Sequence, residues 1–231
     1  MDDLLHNPVY NALLTGDQRL AAGEGSVRYF DEAVSPFVGF EEGYAKGFSD
    51  LHEQLPPGRK ILYAIPSTIT EPEGWSIRHE IKGLQFVYEK NAGAKKQFEN
   101  IVPLEQLHVK QMVALATLTK PGPFGQRTID FGSYFGIFED DKADSLRLVA
   151  MTGQRLHPGN FTEISAVCTH PDHTGKGYAF KLLEHQLQLI LEKGQQPFLH
   201  VRADNERAVG LYERMGFTVS RTMNFYFMKK Q

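Results

Sequence analysis

Residues 161–201 constrain the fold more than any other part of the chain. FTEISAVCTH (161–170) is β-branched and almost continuously apolar, the pattern of a strand buried on both faces in the middle of a sheet. A polar turn, PDHTGKG (171–177), follows it. In YAFKLLEHQLQLILEKG (178–194), Phe180, Leu183, Leu187, Ile190 and Leu191 recur at spacings of three and four, which is helical, and Gly194 supplies the stop. QPFLHV (196–201) is a second strand. A strand, a helix and a strand in this order place the two strands parallel, with a right-handed crossover. The chain is therefore expected to be α/β.

The flanking segments extend that pattern. SYFGIFE and SLRLVAMTGQRL read as a β-hairpin turning at Asp140-Asp141-Lys142-Ala143-Asp144. DNERAVGLYERMGF reads as a helix ended by Gly216, and TVSRTMNFYFMK as one or two closing strands. EQLHVKQMVALATLTK (105–120) is helical until Pro121-Gly122-Pro123. The polar segment EKNAGAKKQFENIVP (89–103) reads as a linker. It divides a smaller α/β N-terminal part of unassigned role (1–100) from a mixed-sheet domain (101–231). In the first part VRYF, PFVGF, KILYAI and GLQFVYE read as strands and GYAKGFSDLHEQL as a helix.

Composition excludes several classes of function. A net charge of −3 gives no basic field for nucleic acid or an anionic membrane. No run approaches the roughly 18 apolar residues of a membrane span. One cysteine, Cys168, permits no intrachain disulfide, and the acidic N-terminus is not that of a signal peptide. A cytoplasmic protein, monomeric or homodimeric, is expected.

Thr174-Gly175-Lys176-Gly177-Tyr178-Ala179 carries the chemistry. Glycines let an anion approach the main chain, and the unpaired N–H groups and positive dipole end of the next helix face it. A pyrophosphate site and a plain tight turn both fit this segment. It is not a P-loop, since Gly177 rather than Ser or Thr follows Lys176, and Phe180 breaks a dinucleotide fingerprint. SAVCTHPDHTGKGYAFKLLEHQ followed by DNERAVGLYERMGF resembles the GCN5-related N-acetyltransferase (GNAT) family. The likeness covers about residues 103–231 and is nearest to the bacterial branch allied to the glycine N-acyltransferase-like C-terminal domain. Thr174 stands where that family has Arg or Gln, while Gly177 and Ala179 match.

The resemblance implies a mixed central sheet with a splayed strand pair and flanking helices. It also implies acetyl-coenzyme A as acyl donor, no metal, and a small-molecule amine or amino acid as acceptor. The pantetheine would lie along the main chain of Ala166, Val167, Cys168 and Thr169, and the pyrophosphate on Gly175, Lys176, Gly177, Tyr178 and Ala179. Asn205 would help to hold the coenzyme, or is an ordinary helix cap. Tyr212 would donate a proton to the leaving sulfur, or closes the core beside Leu211.

Glu163 is the candidate base, because strand alternation puts it on one face with Ser165 and Val167. A solvent-facing role is the alternative, with His200 on the next strand as the rival base. Cys168, His170 and His173 could suggest a metal, but Pro171 breaks the strand that would align them. Cys168 as an acyl carrier and a coenzyme-binding sensor without turnover are the remaining readings.

Overall fold

The computed structural model describes residues 3–90, 98–141 and 145–231. Eleven strands form one sheet. In chain order they are β1 (Ala21–Ala22), β2 (Val27–Phe30), β3 (Phe37–Phe40), β4 (Lys60–Ile65), β5 (Trp75–Tyr88), β6 (Val102–Pro103), β7 (Phe135–Asp141), β8 (Ser145–Arg155), β9 (Phe161–Thr169), β10 (Gln196–Arg202) and β11 (Phe217–Lys230). The helices are α1 (Pro8–Leu14), α2 (Gly47–Gln54), α3 (Val109–Thr119), α4 (Tyr178–Glu192) and α5 (Glu206–Met215). The expected α/β class is observed. Part of the expected linker and the tip of the β7–β8 hairpin lie outside the described residues.

The strands lie in the order β1-β2-β3-β4-β11-β5-β10-β9-β8-β7-β6. The expected division near residue 100 is therefore no boundary in the sheet. β5, from the first part, lies between β10 and β11 and pairs antiparallel with both. Its 14 residues are more than GLQFVYE alone suggested, because Ile77 and Ile81 extend the pairing with β11 through Trp75. The two parts also repeat one order. β2 and β3 are antiparallel, α2 crosses to the parallel β4, and β5 follows. Likewise β8 and β9 are antiparallel, α4 crosses to the parallel β10, and β11 follows α5. Each closing strand pairs with the crossover strand of the other part.

Helices cover both faces. On one, α1 and α3 bury Val9, Leu13, Met112 and Leu115 in a core that includes Ala166, Cys168 and Phe198. On the other, α4 buries Leu183, Leu187 and Ile190 against Ile164 and Leu199, joined by Tyr212 of α5. Burial of both faces explains the near-continuous apolar run of β9. Among the described residues no helix is long and apolar enough to cross a membrane.

Candidate active site

Two irregularities of β9 create the site. β9 and β10 pair only from Phe161 to Glu163, opposite Gln196 to Phe198. Beyond that point β10 follows β5 and β9 follows β8, so the strands splay. Between Ser165 and Cys168 a bulge sets two residues of β9 against one of β8, and Ala166 adopts the left-handed conformation at φ 53°. The bulge also reverses alternation. Ile164 and Val167 pack toward α4, whereas Ala166 and Cys168 pack toward α3. The expected shared face of Glu163, Ser165 and Val167 is thus corrected, because one extra residue moves Val167 to the opposite side.

The free edge of β9 runs into the glycine turn. Gly175 (φ 84°) and Gly177 (φ 77°) are left-handed, and no atom lies within 4 Å of where a Cβ would stand. The first helical N–H groups of α4 carry no side-chain cap. A cleft of about 380 Å³ joins Val167, Cys168 and Thr169 to the turn and to α5. Thr174, Gly175, Gly177, Tyr178, Ala179 and Asn205 all line it. Lys176 does not: its Nζ lies 3.0 Å from the Glu139 carboxylate, so only its main chain belongs to the turn. Thr174 donates its hydroxyl to the Pro171 carbonyl, which fixes the turn where a longer polar side chain was expected.

A second cleft, of about 310 Å³, opens on the other side of the splay, and Ala166 lies there. Val167, Asn205, Ala208 and Tyr212 border both clefts. Asn205 also caps α5, its side-chain oxygen accepting from the Ala208 N–H at 3.2 Å. Burial raises the Tyr212 phenol to about 12, so it stays protonated and able to donate at neutral pH.

Glu163 forms the polar floor of the second cleft and is 1% exposed. Arg155 donates to both of its oxygens at 2.8 Å, and His200 Nδ1 lies 2.8 Å from one of them. Burial pushes the Glu163 carboxyl up, but the Arg155 guanidinium and the His200 imidazole outweigh it and hold it at about 2. A carboxylate so acidic, with both oxygens engaged, is a poor proton acceptor. That geometry argues against Glu163 as the base. His200 is also engaged: its Nδ1–H donates to Glu163, and its Nε2 accepts from the Gln85 amide at 3.0 Å.

A protein from Novosphingobium aromaticivorans, assigned as an acetyltransferase to the GNAT family, superposes on the chain with a TM-score of 0.91. It is 31% identical, and each chain is covered in full. The chain belongs to the GNAT family. Residues 134–226 match the family described as FR47-like protein. A stretch of 61 residues is 41% identical to the mycothiol acetyltransferase of Corynebacterium aurimucosum. It makes up 26% of this chain and spans about a fifth of that curated relative, 20% of its length. A GCN5-related N-acetyltransferase from Kribbella flavida shares the fold at a TM-score of 0.63 and 14% identity, covering 96% of this chain and 95% of its own.

Within this GNAT chain, several cleft residues escaped the sequence. Arg207 and Arg214 line the first cleft. They stand seven apart on α5 with Leu211 between them, a spacing that could have shown their common face. Phe37, Leu62 and Ile81 line the second cleft and come from the N-terminal part, for which no local signal existed. Of the C-x-H-x-x-H residues, His170 and His173 lie ring to ring at 5.7 Å, while each makes other contacts. Cys168 is buried, His170 Nε2 lies 2.8 Å from Arg147, and His173 Nδ1 lies 3.2 Å from Lys176 Nζ.

Proposed function

We propose that the chain is an acyl-coenzyme A-dependent N-acyltransferase that passes an acetyl group directly from acetyl-coenzyme A to an amine. The carrying observation is the unpaired edge of β9, which leaves the splay and ends in an uncapped glycine turn, with Tyr212 between the two clefts. The pantetheine arm pairs with Val167 to Thr169 as an added strand. Its pyrophosphate takes the N–H groups of residues 175–179. Arg207 and Arg214 add positive charge along the same cleft.

The thioester carbonyl then sits at the opening between the clefts. The acceptor nitrogen attacks it from the second cleft, the carbon–sulfur bond breaks, and the nitrogen loses its proton to water. Tyr212 donates a hydrogen bond to the developing thiolate. Full proton transfer is uphill, because a thiol at about 8.5 is more acidic than this phenol. Cys168 is no acyl carrier in this scheme: burial raises its thiol to about 11, so the nucleophilic thiolate is scarce. The finer kinship with the glycine N-acyltransferase-like branch, and a cytoplasmic setting, belong to the same reading.

The test is release of free coenzyme A from acetyl-coenzyme A with a panel of amines, alongside calorimetric binding of acetyl-coenzyme A. Amine-dependent release is expected. Binding without release for any amine would replace acyl transfer with a sensor role.

A further inference from the structure

The second cleft continues outward. It shares Lys120, Gly122, Pro123, Ile81 and Phe227 with a larger outer cavity of about 990 Å³. The inner walls are apolar, from Phe37, Leu62, Ile81, Phe225 and Phe227. The outer rim carries Lys60, Arg78, Lys120 and Lys229. Among the described residues none of these four forms an ion pair, and Glu32, the rim's carboxylate, faces Arg59 at 3.7 Å. The chain as a whole is acidic at −3, so this concentration of free cations is local. Lys120 stands where the two spaces meet, held at φ 51° at the end of α3.

The inner cleft supplies no free base. Its ionisable groups are Lys120, Arg155, Glu163, His200, Arg202 and Tyr212. Glu163 and His200 are engaged as described, and Arg202 pairs with Asp204 at 2.7 Å. The remaining outer-cavity imidazole, His79, stacks on Phe227 at 4.4 Å. The ammonium of a free amino acid is only modestly more acidic than that of its decarboxylated amine, so the rim's charge, not acidity, separates the two.

Resting on the acyl-transfer reading, we propose that the acceptor is an α-amino acid with a large apolar side chain. Its side chain lies on the Phe37–Leu62–Phe227 wall, and its carboxylate is held by Lys120 and the cationic rim. Glycine lacks the apolar body that this wall would contact. A decarboxylated amine lacks the anion.

The experiment compares L-phenylalanine and L-leucine with phenethylamine, isoamylamine and glycine, by coenzyme A release and by saturation-transfer NMR on the protein saturated with coenzyme A. At least tenfold higher kcat/KM is expected for the two apolar amino acids. Lys120→Glu, or Lys229→Glu if the first fails to fold, should raise KM for L-phenylalanine about fivefold. It should leave KM for acetyl-coenzyme A unchanged and should not raise KM for phenethylamine. Equal or better use of the decarboxylated amines or glycine would overturn the proposal while leaving acyl transfer intact. Saturation transfer to L-phenylalanine without turnover of any amine would keep the amino-acid site but sink the transferase reading, and with it the acceptor role. Absence of both binding and turnover of the apolar amino acids would overturn the proposal.

Discussion

Replacing Arg155 with methionine removes one partner of the buried ion pair beneath the acceptor cleft. Glu163 is held at about 2, against an ordinary 4.5. Removing one side of a buried pair costs about 3–5 kcal/mol, because the other charge stays behind. In a chain of this length that lowers Tm by about 10 °C. In the wild type the carboxyl is depressed, so its contribution is complete above about 4.5 and is lost as pH falls toward 2. In Arg155→Met the buried carboxyl keeps only the His200 imidazole as partner, so burial lifts it from its wild-type value and the variant loses less stability than the wild type as pH falls. Thermal melts from pH 4 to 8 distinguish the two slopes. Arg155→Met with Glu163→Leu, which removes both charges, should recover part of the loss, the remainder of about 1–3 kcal/mol being the His200 Nδ1–H left without its acceptor. A single variant melting within about 3 °C of wild type, or keeping the wild-type slope, would refute the ion-pair argument.

Tyr212→Phe should lower kcat about 100-fold while acetyl-coenzyme A binding holds, read by steady-state kinetics and calorimetry, because the lost donor acts on developing charge. Gly177→Val forces a β-branched residue to φ 77° and should weaken acetyl-coenzyme A binding about tenfold with little change in the sheet, seen by calorimetry and circular dichroism. The Cys168 thiol, raised to about 11, should react with iodoacetamide at pH 7.5 about 300-fold more slowly than free cysteine, and the rate should climb as pH rises past 9.

What the sequence revealed was local. β9, the glycine turn and α4 follow from β-branching, glycine spacing and a helical apolar period, and each of these depends only on near neighbours. Asn205 capping α5 and Gly216 closing it were legible for the same reason. The bulge at Ala166 was not. Alanine carries no sign of left-handed backbone, and one inserted residue defeats an alternation argument without altering composition. That is why Glu163 and Val167 were placed together and why Arg155, eight residues earlier on β8, was not foreseen as the partner of Glu163. The position of β5 is a matter of pairing across more than a hundred residues, and no pattern within 75–88 specifies it.

The repeated order of the two parts bears on why one cofactor cleft exists in an eleven-stranded sheet. In the first part β3 and β4 also pair only briefly, Phe37 with Leu62 and Val38 with Tyr63, and then separate. The space beside that separation is filled. Phe40 stacks on Tyr63 at 4.9 Å, Phe48 packs edge-on against both, and Trp75 closes on Phe48 at 6.5 Å. A Cβ on Gly47, at the start of α2, would meet the Phe40 ring at 2.3 Å. The turn before α2 carries Glu41 and Glu42, whose charge repels a pyrophosphate. An aromatic core thus occupies the place where, in the second part, Val167 to Thr169 lie open. The first part instead contributes β5 to the sheet beside β10, and Phe37, Leu62 and Ile81 to the acceptor cleft. One splay is closed by packing and the other is kept open by a bulge, so the closed half supplies the wall against which the open half can act.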